Sequence, residues 1–372
     1  MKILFQSRQN LFSSPGGDTS YILGLKKHLQ KYSIKIDIST ELEPDLRDYD
    51  IVNVFNLIWP QEVFIQVKNA KKQGKPCVLT PIYVLWDEFE KRGTYGFRKV
   101  LASVLPYHCI QYLKILGRAV KNGEFHKGVI NVLTAGYFNL MKKTLDLVDL
   151  ILPNSDLEKK KIQIDFRVSK NKFYIVPSGI DFELFDYEKT DVDEDVRNLV
   201  KDGILCVARI TPLKNQLRLI KAFKDLPYNL FIIGEPSPNH KNYLKLLKKE
   251  AGDNVFFLGK IPGEKLPQYY KAAKVQALPS WFETTGLVFL EAASMRCNIV
   301  VGNRGYVRDF YKDYAFYCEP DNVNSIREAV IKAYETPFNP ECREHIIKNF
   351  SMERVAKKTI EAYEYLLKKK NG

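Results

Sequence analysis

The feature that most limits the fold is an alternation. Apolar runs of strand length, "KILFQ" (2–6), "IKIDIS" (34–39), "YDIVNVFN" (49–56), "KPCVLTPIY" (75–83), "VDLILPNS" (148–155) and "NKFYIVPSGID" (171–181), are separated by stretches of helical spacing such as "DTSYILGLKKHLQKY" (18–32) and "QEVFIQVKNAKKQ" (61–73). Strands apolar on both faces and joined through helices belong in a parallel sheet covered on both sides. The rhythm stops in the acidic, polar stretch "FELFDYEKTDVDEDVRNLVKD" (182–202). It restarts with "GILCVAR" (203–209), "YNLFIIG" (228–234), "NVFFLGK" (254–260), "KVQALPS" (274–280), "CNIVVGN" (297–303) and "AFYC" (315–318). It closes on one amphipathic helix, "SMERVAKKTIEAYEYLLKKK" (351–370). The fold class is α/β: two Rossmann-like doubly wound domains, 1–180 and 203–350, a linker at 181–202, and a terminal helix at 351–372. Ligands of doubly wound sheets bind beyond the carboxyl ends of the strands. The two domains are therefore expected to face each other across a cleft, with the chemistry on loops that follow strands.

The 372 residues suffice for two full cores. Six cysteines, at 77, 109, 206, 297, 318 and 342, form no CxxC pair, and "MKILFQSRQN" holds no apolar leader. They read as reduced core residues of a cytoplasmic protein. No window reaches the roughly 18 uninterrupted apolar residues of a spanning helix. The net charge of +13 calls for an anionic partner: nucleic acid, a phosphate ester or a membrane surface. Residues 91–145 concentrate it, with ten Lys or Arg and a single acid, Glu124.

The first loop, "SSPGGDTS", places Gly16 and Gly17 between a strand and a helix, with Asp18 or Thr19 as the cap of that helix. Two glycines here read as a turn, or as a loop that lets a ligand approach the main chain. A nicotinamide oxidoreductase would need G-x-G-x-x-G at this place, and that spacing is absent. In "VARITPLKNQLRLIKAF" (207–223) a strand ends at Arg209 and Lys214 opens the next helix. Two cations at a helix N-terminus suit a diphosphate; two solvated bases fit the same spacing. "WFETTGLVFLEAASM" (281–295) sets Glu283 before a Thr-Thr-Gly turn, Gly286 at a helix start and Glu291 within an apolar helical turn. A carboxylate in such a turn needs a partner, either a sugar diol or a structural contact.

Glu283 and Glu291 form an E-x7-E pair. Together with "VARITPLKN", "FFLGKIPGEKLPQYYKAAKVQALPSWFETTGLVFLEAASM", "LPNSDLEKK" (152–160), "IVPSGID" (175–181) and "NFSMERVAKKTIEAYEYLL" (349–367), it makes the chain resemble the retaining glycosyltransferases of family 4, of the bacterial surface-polysaccharide type, which have the GT-B fold. The resemblance implies a catalytic set of Arg209, Lys214 and Glu283: the two cations hold the donor diphosphate, and the acid contacts the donor sugar. It implies that Glu291 binds the ribose hydroxyls and that the amides around Thr285, Gly286 and Leu287 cradle the phosphates. The backbone near Lys260 and Ile261 then reads the base, and Gly16 and Gly17 are the first domain's share of donor binding. The implied donor is a UDP- or GDP-linked sugar, with no cofactor, no metal and no protein base. The departing phosphate takes the acceptor's proton. The terminal helix is expected to cross back onto the first domain. "DVDED" (191–195) formally contains the D-x-D of metal-dependent transferases, but it does not follow a strand.

Many family members carry a His after the strand 75–82. "YVLWDEF" (83–89) has none, and the nearest are His28 and His108. Tyr83, Trp86 and Asp87, with Asn56 in "FNLIWP" (55–60), are the acceptor-side candidates, against plain loop packing. Region 91–145 reads as a basic amphipathic face for an anionic membrane, against a solvated basic side. The function expected is transfer of a sugar to a lipid-linked saccharide acceptor, with the protein peripheral at the inner face of the plasma membrane and its oligomeric state open. The alternative is a nucleic-acid- or phosphate-binding Rossmann-type protein without transferase activity.

Overall fold

The computed structural model describes residues 1–94, 97–123 and 126–371. Its strands are β1 (Lys2–Gln6), β2 (Lys35–Ser39), β3 (Ile51–Phe55), β4 (Cys77–Thr80), β5 (Leu150–Ile151), β6 (Ile204–Val207), β7 (Leu230–Ile233), β8 (Val255–Gly259), β9 (Val275–Leu278), β10 (Asn298–Gly302) and β11 (Phe316–Cys318). They form two parallel sheets, ordered β2-β1-β3-β4-β5 and β11-β10-β9-β6-β7-β8. The chain divides into two compact units. One comprises Met1–Leu85, Val100–Ser178 and the residues from Met352 onward; the other comprises Trp86–Lys99 and Gly179–Ser351.

In the first unit the sheet separates two apolar layers. Every residue of β3 is buried, including Asn53. A buried amide needs partners, and Asn53 has them: it donates to the Tyr363 hydroxyl at 2.9 Å and accepts from Thr80 at 3.2 Å. Tyr363 lies on the closing helix Met352–Asn371, which packs against the helix Gly17–Gln30. Gly24 marks their approach, since a Cβ there would come within 2.9 Å of the Met352 methyl.

Two sequence expectations are corrected here. Segment 171–181 is not a strand. It runs beside β5 through Tyr174 N–H to Ile151 O and Val176 N–H to Pro153 O, with one isolated bridge at Phe173. Pro153 and Pro177 lack N–H groups, so no ladder continues. Stretch 181–202 is not a free linker. Phe185, Val196 and Val200 are buried in the second unit's core, and the helix Glu194–Val200 packs on the helix Leu266–Ala272. Lys271 secures it through the carbonyls of Tyr187 and Thr190, at 2.6 and 2.8 Å.

In the second unit the strand order reverses between β6 and β9. Loops leaving those two strands diverge to opposite faces, which opens a crevice at their carboxyl ends. The first sheet has the same reversal between β1 and β3.

Candidate functional site

The loop after β6 carries Arg209, which is exposed, and then a tight turn, Pro212–Lys214. Lys214 closes that turn and does not open the next helix, which begins at Gln216. Asn215 stands between them in the left-handed region, φ 60°, where Asn is the best tolerated residue after Gly. Its side chain is fully buried and donates to Pro279 O at 2.9 Å and Pro320 O at 2.7 Å. One amide thus ties the loops after β6, β9 and β11.

The loop after β9 carries Glu283. Its carboxylate meets Lys214 Nζ at 2.5 Å across the reversal point of the sheet. The backbone of Glu283 is held from a third loop, after β10: it pairs with Gly305, and its carbonyl accepts from Tyr306 N–H at 3.0 Å. Gly305 is required there, with φ 84° and only 2.0 Å between a would-be Cβ and the Glu283 carbonyl oxygen.

Gly286, at φ 70°, turns the chain into the helix Leu287–Ser294. The carbonyls of Thr285 and Gly286 both accept from the buried Tyr311 hydroxyl, at 2.7 and 2.8 Å. The first N–H groups of that helix have no carbonyl of their own helix to meet, and they carry its positive end. Leu287 is half-buried at this start. Glu291, the fifth residue of that helix, accepts from Tyr270 Oη at 3.1 Å. Burial pushes its carboxyl up to about 7, which the Tyr270 bond only partly offsets. Ile261 lies just beyond β8, partly buried against the same core, with exposed Lys260 before it.

In the first unit, the loop after β1 is stapled by Arg8. Its guanidinium forks onto Asp18 at 2.7 and 3.0 Å and also holds the carbonyls of Asn10 and Ser14. Burial alone would raise the Asp18 carboxyl, but Arg8 beside it holds it below the usual range. Asp18 is therefore an ion-pair partner rather than the cap. Gly16 precedes the helix, and its N–H donates back to Thr19 Oγ1 at 3.0 Å. Gly17 is exposed, and a Cβ there would meet nothing within 4 Å. Asn56, on the loop after β3 with φ 79°, donates to Asp18 at 3.2 Å. Its buried Oδ1 finds no hydrogen-bond partner among the described residues.

The remaining acceptor-side candidates separate. Tyr83 is corrected to a packing residue: it is fully buried, its hydroxyl bonds Asp165 at 2.7 Å, and its ring meets Phe166 edge-on. Its N–H donates to buried Glu158, whose carboxyl burial raises to about 7. Trp86 and Asp87 begin the helix Asp87–Arg92, which belongs to the second unit and not the first. Within 91–145, Glu124 and the side chains of Arg98 and Lys121 lie outside the described residues. No helix among the described residues is long and apolar enough to cross a membrane. Sequence reading missed Tyr270, Asn215, Trp281 and Gly305 as supports. Asn215, Tyr270 and Trp281 sat inside the quoted motifs without a signal of their supporting roles, and Gly305 lay outside them.

Residues 190–351 match the family described as glycosyl transferases group 1. The alpha-monoglucosyldiacylglycerol synthase of Streptococcus pneumoniae is 24% identical over 390 residues, covering 95% of this chain and 83% of its own. Among solved structures, sucrose-phosphate synthase from Thermosynechococcus elongatus is similar with a TM-score of 0.72 at 14% identity, covering 99% of each chain. Anabaena HepE, solved with UDP and glucose, is similar with a TM-score of 0.68 at 14% identity, covering 98% of this chain and 100% of its own. The fold is that of the GT-B glycosyltransferases. Its second unit carries the group 1 glycosyltransferase match.

Proposed function

We propose that the protein is a retaining, metal-independent glycosyltransferase. It moves a sugar from a UDP- or GDP-linked donor to a lipid-linked saccharide in surface-glycan assembly, with no cofactor, at the inner face of the plasma membrane. The observation that carries the reading is the meeting of Lys214 and Glu283 at the reversal point of the second sheet. Arg209, Lys214 and the helix start at Gly286 face the diphosphate, Glu283 the donor sugar, and Glu291 the ribose hydroxyls. β8 lies two strands from β6, about 10 Å at ordinary strand spacing. That is the order of reach from a diphosphate to its base, which suits a base reader near Ile261.

As the bond from the anomeric carbon to phosphate oxygen breaks, negative charge grows on the diphosphate. Fixed cations and helix N–H groups stabilise that charge without reorganising. The acceptor hydroxyl attacks from the same face, and a phosphate oxygen takes its proton. The S. pneumoniae relative is a glucosyldiacylglycerol synthase, which supports a lipid acceptor. HepE binds UDP and glucose, which supports a nucleotide-sugar donor. A membrane role draws on the helices Phe97–Val104, Tyr107–Asn122 and Lys127–Ala135. They expose Val100, Val104, Leu113, Val120, Ile130 and Leu133, with Val104 76% and Val120 72% exposed, among Lys99, Lys114 and Lys127.

A panel of nucleotide sugars screened by melting temperature tests the reading, because a ligand bound to the native state raises the midpoint. One nucleotide class is expected to stabilise the protein and then to support transfer to lipid-linked saccharides. A panel without any stabilising member overturns the assignment. Cosedimentation with anionic vesicles tests the membrane role. Val104→Asp with Val120→Asp is expected to abolish it, and undiminished sedimentation counts against it.

A further inference from the structure

The helix Asp87–Arg92 packs in the second unit, although the chain on either side of Trp86–Lys99 belongs to the first. Three sets of contacts hold it. Arg304 forks onto Glu88, Nε to Oε2 at 2.7 Å and Nη2 to Oε1 at 3.0 Å, and its remaining arm reaches Glu319 at 2.6 Å. Arg92 reaches Asp321 at 2.8 Å, and its carbonyl accepts from Arg218 at 3.3 Å. Phe89 packs on Trp281 with ring centres 6.5 Å apart. Gly93 lies so close to that indole that a Cβ would stand 2.7 Å from its Nε1. Lone surface ion pairs do little for stability. A bidentate Arg fork does something else: it fixes orientation.

What this helix grips are the two backbone supports of Glu283. Trp281 lies two residues before Glu283, and its backbone N–H donates to Leu213 O, beside Lys214, at 3.0 Å. Arg304 immediately precedes Gly305, whose backbone pairs with that of Glu283. A segment nearly two hundred residues away in sequence thus meets the Glu283 loop at both of its anchors.

We propose that the Glu88–Arg304 fork is a positioning device that holds the 281–286 loop where Glu283 meets Lys214. The proposal rests on the reading of those two residues as donor-site groups. Glu88 and Arg304 act through Trp281 and Gly305, not on the reacting atoms.

The test compares Glu88→Ala, Arg304→Ala and the exchanged pair Glu88→Arg with Arg304→Glu. It measures hydrogen exchange of peptides covering 279–287, melting temperature and steady-state kinetics with the stabilising nucleotide sugar. Each single variant is expected to speed exchange at 279–287 and to lower kcat about tenfold, with donor KM within about threefold, since a small misplacement acts on the chemical step. The melting midpoint is expected to move by less than about 3 °C, as for a partly exposed pair. The exchanged pair is expected to recover only part of kcat, because a carboxylate at 304 then faces Glu319 and a guanidinium at 88 faces Arg92. Unchanged exchange and kcat in the single variants overturn the proposal. So does loss of protection throughout the second unit, which would make the fork a general stabiliser. Loosening confined to 279–287 in a protein that turns over no nucleotide sugar would uphold the fork and overturn the transferase reading instead.

Discussion

Glu291 has a carboxyl raised by burial to about 7, against an ordinary 4.5. Between those values the native state binds more protons than the unfolded chain, so stability from this group is greatest at the low end and falls as pH rises through the window. Glu291→Gln removes the titration. It is expected to melt above wild type at pH 8, with the gap closing toward pH 5, in thermal scans across that range. On the proposed role of Glu291, ribose hydroxyls would donate to its ionised form, so nucleoside diphosphate affinity is expected to rise from pH 6 to pH 8 in the wild type. In the Gln variant, calorimetry should show weak and flat binding. Lys214 argues from charge rather than protonation. Lys214→Ala leaves buried Glu283 without its cation, at a cost of about 1–3 kcal/mol in denaturant unfolding. It is expected to lower kcat by about 10²-fold or more, the usual loss when one group that stabilises developing charge is removed.

Among elements, the loops after β6, β9 and β10 meet through small residues whose geometry admits little change. Gly305→Ala adds a Cβ at φ 84° and 2.0 Å from the Glu283 carbonyl oxygen. A loss of about 2 kcal/mol or more is expected, with faster hydrogen exchange at 281–286 as the local signature. In the first unit, Asn53→Ala strands the Tyr363 and Thr80 hydroxyls in the core. A cost of about 1–3 kcal/mol is expected in equilibrium unfolding. Residues of the right type were visible in the sequence: Arg209, Lys214, Glu283 and Gly286 stand on loops or a helix start that follow strands, and Glu291 on the second turn of the helix after Gly286. Their supports were not. Tyr270 reaches Glu291 from another helix, and Gly305 reaches Glu283 from another strand, and neither carries a periodicity that announces it.

Across the whole molecule, neither unit is a continuous stretch of chain. A fragment ending at residue 180 lacks the helix Met352–Asn371 and leaves the apolar face of Gly17–Gln30 uncovered. It is expected to unfold without a sharp transition, and a peptide of residues 352–371 added in trans is expected to restore one, as followed by circular dichroism. The alternation of apolar runs determined the two parallel sheets, because whether a strand is buried on both faces is written in its own residues. It failed where burial depends on who does the covering. The charged stretch 181–202 hides Phe185, Val196 and Val200, which only the second core accepts. Tyr83, an acceptor-side candidate in the sequence, is closed over by Asp165 and Phe166. Local pattern by itself determined the eleven described strands of the two sheets, the loops after them and the residue types suited to a diphosphate, but it also read a strand into 171–181 that does not form. Only the tertiary structure decided which unit takes Trp86–Lys99 and which backbones hold Glu283. Those contacts join residues distant in sequence, and no window along the chain contains both partners.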